Sequence, residues 1–122
     1  MTTQTFPELF TAITNAITSR QYEQLQSLDY SIPEKFNWVR DVFEAVHVKN
    51  APDHTMLELL AEDRSLSKLS YKNALRQSNQ LLNYLRKGGV QQGDTVFVMC
   101  GLHKGLWLSY LGIIKGGFVM IP

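Results

Sequence analysis

The stretch TVFVMCGLHKGLWLSYLGIIKGGFVMIP, residues 95–122, decides the fold. Its first six residues are an apolar run rich in β-branched side chains, too short for a typical helix, and they predict a strand buried on both faces. Residues 104–115 carry apolar side chains at helical spacing, and Gly116-Gly117 can supply the positive φ of a helix C-cap. Residues 118–121 predict a second strand. Because the crossover is too long for a hairpin, we expect a parallel βαβ unit.

A strand pair and a strongly periodic helix are predicted just before this unit. Residues 55–60 and 66–69 favour two antiparallel strands joined by a turn over residues 61–65. Ser70 is placed to cap the next helix, Gly88-Gly89 to end it, and Val90 to fold back on its last turn. The apolar face of that helix follows a 3.6-residue period and consists of Tyr71, Ala74, Leu75, Ser78, Leu81, Leu82 and Leu85.

The first third of the sequence predicts helices. Residues 5–8, Thr-Phe-Pro-Glu, have the spacing of a capping box and begin an amphipathic helix expected to run to about Arg20, with a shorter helical piece over residues 22–28. A break is expected at residues 31–33, followed by a helix capped by Asn37. Trp38 lies off the apolar stripe of that helix, which places it at a possible interface. Together these patterns predict an α/β fold.

Composition limits the function classes. The 122 residues are 44% apolar with a formal net charge of +1, so the charge gives no case for nucleic acid or an anionic membrane. The single cysteine, Cys100, excludes an internal disulfide and favours a reducing compartment. We expect a cytoplasmic protein without a secretory signal or a membrane span, since the most apolar stretch is interrupted by Lys115 and three glycines.

Few residues suggest chemistry. The loop of residues 101–105 lies between a strand and a helix, where amides beside Lys104 could hold an anion, but its spacing matches neither a dinucleotide fingerprint nor a P-loop. His103 could be a general base, although a turn-capping surface histidine is favoured, and Cys100 is expected to be an inert, protonated thiol. Gly105 and Gly112, seven residues apart, would allow close helix packing.

A metal site is a further possibility. His47 and His54 lie near Asp53, but without tight ligand spacing, so a solvated helix end is the favoured interpretation. We therefore assign no catalytic, cofactor-binding or metal-ligating residue.

Four blocks, in order, resemble the beginning of AMP-forming acyl-CoA synthetases of the adenylate-forming superfamily, in particular the medium-chain and acetyl-CoA synthetase-like members. They are residues 32–42 (IPEKFNWVRDV), 69–75 (LSYKNAL), 89–96 (GVQQGDTV) and 111–122 (LGIIKGGFVMIP). One position and one loop depart from the family pattern. Asn73 stands where an acidic residue is usual, and residues 101–104 replace a Pro-Asn pair followed by an acidic residue, so no role is carried over to that loop.

The resemblance implies a fold and a reaction. The fold would be a partial N-terminal subdomain, with residues 1–31 as a helical extension and residues 32–122 as the first part of the enzyme's N-terminal domain. The implied reaction activates a carboxylic (fatty) acid with ATP to an acyl-adenylate and then transfers the acyl group to CoA. ATP, Mg²⁺ and CoA would serve the parent enzyme, and none is expected to bind this chain alone, because the family's phosphate loop, nucleotide motifs and catalytic lysine lie later.

The predicted partner is the remainder of the same polypeptide. The chain alone is expected to be inactive, and to self-associate because its last strand leaves an apolar face and an unpaired edge. Other members of the superfamily charge carrier proteins or oxidise their adenylates, and the block at residues 32–42 is what favours the acyl-CoA branch over them. The alternatives from other classes are a free-standing binding or regulatory module and, less well supported by the strand count, a flavodoxin-like ligand binder. The reading frame past Pro122 would discriminate between the enzyme and the module.

Overall fold

A computed structural model describes residues 5–28 and 33–122. The helical elements are α1 (Phe6–Thr18), a 3₁₀ helix (Tyr22–Ser27), a π-helix (Val39–Val48), α2 (Tyr71–Lys87) and α3 (Lys104–Gly116). The strands are β1 (Thr55–Leu60), β2 (Leu66–Ser70), β3 (Thr95–Phe97) and β4 (Val119–Ile121). The α/β class is confirmed, with an antiparallel strand pair, a parallel βαβ unit and helices before them.

The βαβ unit forms as predicted. Strands β3 and β4 pair in parallel, with Phe97 opposite Ile121. Helix α3 ends at Gly117, which adopts a left-handed conformation with φ 71°. The amide of Phe118 then donates to the Ile113 carbonyl at 3.0 Å, which closes a Schellman-type cap.

The prediction of a six-residue strand buried on both faces is wrong. Strand β3 has only three residues, and Phe97 on its outer side is 63% exposed. On the inner side of β3, Val96 packs against a cluster of Leu82, Ile113 and Phe118. Within the described residues, α3 and that cluster cover one face of the sheet, and the other face has no covering element.

The antiparallel pair and the helix after it confirm their predictions. β1 and β2 pair from Thr55–Ser70 to Leu60–Leu66, with a bulge between Thr55 and Leu57. The Ser70 hydroxyl accepts a hydrogen bond from the Asn73 amide at 3.4 Å and caps α2. At the other end the Val90 amide donates to the Leu85 carbonyl at 3.1 Å, the predicted fold-back.

Helices α2 and α3 pack side by side and run in the same direction, because Gly112 lies against Ser78 and Gly116 lies against Leu82. A Cβ on Gly112 would fall 2.9 Å from the Ser78 carbonyl oxygen, so this glycine permits the close packing predicted for it. Gly105 does not, since its nearest neighbour is the ring of His103 in the turn before α3.

Polar contacts join α3 to the other helices. Lys115 Nζ lies 2.6 Å from Glu44 Oε1 of the π-helix, as an ion pair without the alignment of a hydrogen bond, and donates to Asn79 Oδ1 of α2 at 2.7 Å. The Asn37 side-chain amide donates to the Ile114 carbonyl at 2.8 Å. The ion pair to Glu44 and the hydrogen bond from Asn37 hold the π-helix and the residues before it against the C-terminal end of α3.

The N-terminal helix begins as predicted. The Thr5 amide donates to Glu8 Oε2 at 2.8 Å, one half of the capping box, and the hydrogen bonds from Thr5 lower the pKa of Glu8. Helix α1 ends at Thr18, before the predicted Arg20, which has a φ of 59° that no helix continues.

Helix α1 packs on the π-helix region. The rings of Phe6 and Phe36 are 4.5 Å apart, and those of Phe10 and His47 are 5.9 Å apart. The predicted break at residues 31–33 and the predicted boundary between residues 31 and 32 lie largely outside the described residues.

The helix predicted after the break has a wider pitch than expected. The Lys49 amide reaches back five residues to the Glu44 carbonyl, as in a π-helix. Asn37 caps it as predicted, since its Oδ1 accepts from the Arg40 amide at 3.2 Å. Among the described helices, none has the length and apolar character needed to cross a membrane.

Candidate functional site

The loop between β3 and α3 is capped by a histidine. His103 Nδ1 accepts a hydrogen bond from the Gly105 amide at 3.0 Å, and its carbonyl accepts from the Leu106 amide at 3.0 Å. The prediction that His103 caps the turn is therefore confirmed. Because Nδ1 and the amides of Gly105 and Leu106 bond to each other in this cap, these three groups are not free to bind an anion or to accept a substrate proton.

Lys104 lines a polar groove that sequence spacing did not reveal. The groove has a volume of about 230 Å³ and lies between the β1–β2 pair and the first turns of α2 and α3. Arg76 and Lys68 share its walls, although Lys68 pairs with Glu58 at 2.6 Å. The parallel packing of α2 and α3 brings Arg76 and Lys104 to one end of the helix pair. Both are exposed, so solvent and salt screen their attraction for an anion.

The two histidines of the metal hypothesis have different surroundings. The His47 ring stacks on Tyr71, with centroids 5.5 Å apart and planes 14° apart, whereas His54 is exposed in the turn before β1. In residues 5–28 and 33–122, no group of three or more potential ligands among His, Cys, Asp and Glu is close enough to hold a metal ion. The favoured reading of a solvated helix end holds for His54 and is wrong for His47, which is half-buried in an aromatic stack.

Trp38 lines an apolar groove of about 610 Å³ between the π-helix, α3 and β1. Its side chain is 44% exposed, as expected of a residue at an interface. The volume falls in the roughly 300–1,000 Å³ range of small-molecule pockets. The other lining residues are Phe43, His47, Met56, Leu57, Tyr71, Trp107, Tyr110, Leu111 and Ile114.

Cys100 is exposed rather than buried against the apolar run. β3 ends at Phe97, so Cys100 lies in the loop that follows, beyond the sheet. Its expected protonation as an inert thiol stays a prediction.

One carboxyl has a clear electrostatic partner. Arg40 Nε lies 2.7 Å from Asp41 Oδ1, and the Asn37 amide donates to Asp41 Oδ2 at 2.7 Å. The Arg40 hydrogen bond and the Asn37 amide lower the pKa of Asp41. This group fixes the start of the π-helix and has the character of a structural rather than a catalytic site.

No protein-family model matches the sequence. It is 37% identical to 4-hydroxybutyrate–CoA ligase 1 of Metallosphaera sedula, in a match covering all of this chain and 22% of that protein. It is also 30% identical to the mitochondrial acyl-coenzyme A synthetase ACSM2B of Homo sapiens, over 87% of this chain and 19% of that one. The chain thus spans about a fifth of the length of these curated relatives. A nonribosomal peptide synthetase of Arthroderma benhamiae, at 28% identity, and two adenylate-forming reductases of Coprinopsis cinerea, at 33% and 35%, match as well.

Solved structures agree in fold. The N-terminal subdomain of Klebsiella oxytoca NpsA superposes with a TM-score of 0.62 at 24% identity, covering 71% of this chain and 21% of that one. At this identity the likeness establishes the fold, and the sequence relatives establish the kinship. The chain is a homologue of AMP-forming acyl-CoA synthetases and of the other adenylate-forming enzymes, and it corresponds to their N-terminal part.

Proposed function

We propose that this chain is the N-terminal part of a carboxylate–CoA ligase. In that reaction the carboxylate attacks the α-phosphorus of ATP, pyrophosphate leaves, and the thiol of CoA then displaces AMP from the acyl-adenylate. The observation that carries the proposal is the match to two CoA ligases over all and 87% of the chain. The four blocks that resemble the family, residues 32–42, 69–75, 89–96 and 111–122, support the same assignment.

The substrate class is a carboxylic acid, with fatty acids as our first expectation. One relative is named for 4-hydroxybutyrate, so short hydroxy acids belong in the same panel. We also propose that residues 1–31 form a helical extension to a domain that begins at residue 32.

We propose that this chain alone does not hold ATP, Mg²⁺ or CoA. Phosphate transfer needs cations and amide donors that converge on the phosphates. Among the residues described, the Gly105 and Leu106 amides in the first turn of α3 bond to His103, and no metal-ligand cluster forms. We therefore assign the cofactors of the parent enzyme to its remaining part.

The isolated chain should be catalytically incompetent. The test measures pyrophosphate release and acyl-CoA formation by the purified chain with ATP, Mg²⁺, CoA and a panel of fatty acids and 4-hydroxybutyrate. The intact Metallosphaera ligase is the positive control. We expect background rates. Turnover well above background would refute the proposal that the isolated chain is inactive.

The partner proposed for the chain is the remainder of an adenylate-forming polypeptide. To test this, the matched N-terminal segment is deleted from the Metallosphaera ligase and the 122-residue chain is supplied in trans by co-expression. Acyl-CoA formation that depends on both pieces would support the ligase assignment. The truncated ligase alone is the control, and equal activity with and without the chain would count against it.

A free-standing binding module is the second candidate function. The apolar groove at Trp38 favours it, since its volume and aromatic lining suit a small apolar ligand. Quenching of tryptophan fluorescence by short acyl and aromatic carboxylic acids discriminates between the binding module and the ligase fragment. Saturable binding by the chain alone supports the module.

Two further properties belong to the proposal. We expect the isolated chain to self-associate, because the outer face of the β3–β4 sheet is apolar and exposed. A cytoplasmic location is proposed from the single cysteine, and fractionation of the source cells would test it.

A further inference from the structure

The groove shared by Arg76 and Lys104 has polar walls made only of groups that can donate a hydrogen bond. It has a volume of about 230 Å³, between the β1–β2 pair and the first turns of α2 and α3. Its polar lining residues are Ser67, Lys68, Asn73, Arg76, Gln77 and Lys104, and the others are leucines. Among the described residues that line it, none is Asp or Glu. The lining thus combines cations with neutral donors and holds no anion of its own.

Two of the lining cations have no carboxylate partner within the described part of the chain. The ion pairs found there use the cations of Arg40, Lys68, Lys72 and Lys115. Lys68 pairs with Glu58 at 2.6 Å, so its charge is largely compensated. Arg76 and Lys104 remain, and an anion in the groove would meet two uncompensated positive charges.

Helix packing brings these two cations to one place. Arg76 lies in the second turn of α2, and Lys104 is the first residue of α3. The close contact of Gly112 with Ser78 holds the helices side by side in the same direction, so Lys104 lies level with the start of α2. The positive ends of both helix dipoles also lie at this end of the pair and add to the charge of the side chains.

We propose that this groove binds a small phosphate-type anion. Arg76 presents a planar fork of N–H donors that matches two oxygens of such an anion, and Lys104 adds a point charge. The hydroxyl and amide side chains of the lining can donate to the remaining oxygens. A phosphate group has more acceptor oxygens than a carboxylate and can carry a double charge, so it uses more of this lining.

The groove differs from the phosphate site of a nucleotide-dependent enzyme. Mg²⁺ is held in such enzymes through carboxylates and the substrate phosphates, and the described residues lining this groove include no carboxylate. Its volume is also below the roughly 300–1,000 Å³ of pockets for drug-sized ligands. The groove therefore admits a phosphate ion or a small phosphate ester but not a whole nucleotide. This inference goes beyond the ligase proposal and does not depend on it.

The test is a titration of the ¹⁵N-labelled 122-residue chain, followed by amide chemical shifts at constant, low ionic strength. Inorganic phosphate and glycerol 3-phosphate are the probes, and acetate is the monovalent comparison. We expect saturable shifts concentrated at residues 67–69, 73–77 and 104–105. Because both free cations are exposed, added salt should weaken the binding, and phosphate should bind at least about threefold more tightly than acetate.

The two probes distinguish the sources of the anion. Tighter binding of inorganic phosphate supports a site for the free ion. Tighter binding of glycerol 3-phosphate supports a site for the phosphate group of a small metabolite, whose carbon chain can contact the leucines of the lining.

Arg76→Gln and Lys104→Gln are the variants, and Arg86→Gln is the matched control. Arg86 is exposed on the same helix but in its last turn, so its substitution lowers the net charge equally. Each groove variant should weaken phosphate binding at least about threefold, and Arg86→Gln should leave it unchanged. The dispersion of the amide spectrum checks that each variant is folded.

Four results would overturn the site. Shifts that do not saturate, or equal binding of phosphate and acetate, would mean general attraction to a charged surface. A loss in Arg86→Gln as large as in the groove variants would mean the same. Unchanged affinity in either groove variant would remove that cation from the site. The pyrophosphate assay is independent of all these measurements, so a failure here leaves the ligase proposal standing.

Discussion

Gly112 of α3 faces Ser78 of α2 so closely that a Cβ on the glycine would lie 2.9 Å from the Ser78 carbonyl oxygen. Both residues are buried, and Ser78 is fully so. Backbone atoms cannot swing aside as a side-chain end can, so the two helices approach this closely only because position 112 has no side chain. The contact fixes the distance between the helix that follows the hairpin and the helix of the βαβ unit.

Gly112→Ala should therefore destabilise the fold. In an exposed helix, alanine is more stable than glycine by about 0.5–1 kcal/mol, but here the helices must separate to admit the methyl group. Overpacking of this kind costs about 1–3 kcal/mol, and we expect that cost to prevail in urea unfolding followed by circular dichroism.

Gly101→Ala is the matched control for that substitution. A Cβ at Gly101 meets nothing within 4 Å, and its φ is not in the left-handed region. The unfolding free energy of this variant should stay within about 0.5 kcal/mol of the parent. Equal effects at both positions would mean that the close approach of α2 and α3 is not what Gly112 provides.

Lys115→Met should remove the polar tie between three helices. Methionine keeps the length of the side chain but loses the ion pair to Glu44 and the hydrogen bond to Asn79, leaving the half-buried Glu44 carboxylate without its cation. We expect a loss of about 1–3 kcal/mol in unfolding free energy, since an unpaired, partly buried charge is costly.

The comparison for Lys115 is Lys72→Met, which removes a pair of similar geometry. Lys72 Nζ lies 2.6 Å from Asp53 Oδ1, but both side chains are exposed. Exposed pairs contribute about 0–1 kcal/mol, so this variant should be close to the parent. A larger loss at Lys72 than at Lys115 would contradict the role assigned to burial.

Local signals in the sequence predicted the elements well. Ser70, Gly88-Gly89 and Gly117 mark helix ends through their own hydrogen-bonding or φ preferences, so their effect does not depend on the rest of the fold. The 3.6-residue period of α2 succeeded for the same reason, because its spacing is set by the helix itself.

Tertiary relationships were harder to predict. The burial of β3 failed because an apolar run shows that a strand can be covered, not that a covering element is present. Arg76 and Lys104 are 28 positions apart in sequence, and only the parallel packing of α2 and α3 places them in one groove. The stack of His47 on Tyr71 likewise joins two helices, so no local spacing could indicate it.

Acidification should weaken the contribution of Asp41. The hydrogen bond from Arg40, and then that from the Asn37 amide, lowers the pKa of this carboxyl in the folded chain below its ordinary value of 3.8. The charged form therefore stabilises the fold above about pH 4, and this stabilisation is lost as the pH falls through the lowered pKa. The difference in unfolding free energy between the parent and Asp41→Asn should be constant near neutral pH and shrink below about pH 4.

Arg40→Gln separates the two causes of that shift. The Asn37 amide bond to Asp41 stays in place at 2.7 Å in the parent geometry, so part of the lowering should persist. An NMR titration of the Asp41 carboxyl should show its pKa moving up toward the ordinary value when Arg40 is removed. The difference in unfolding free energy between the parent and Asp41→Asn is also decisive. If that difference does not change with pH, the Arg40–Asp41 pair makes no contribution to stability in solution.

His103 and Gly105 should be energetically coupled. A Cβ on Gly105 would fall 2.6 Å from Cε1 of the His103 ring, whose Nδ1 accepts the Gly105 amide at 3.0 Å. Alanine at position 105 must either clash with the ring or displace it and break the cap, so Gly105→Ala should be neutral or destabilising in the parent. In a His103→Ser background the clash is gone and serine can still cap, so the same change should stabilise by about 0.5–1 kcal/mol.

The double-mutant cycle, measured by urea unfolding, should give a coupling of about 1 kcal/mol. Strict additivity would show that the ring leaves its capping position without cost, and that Gly105 is not needed to accommodate it.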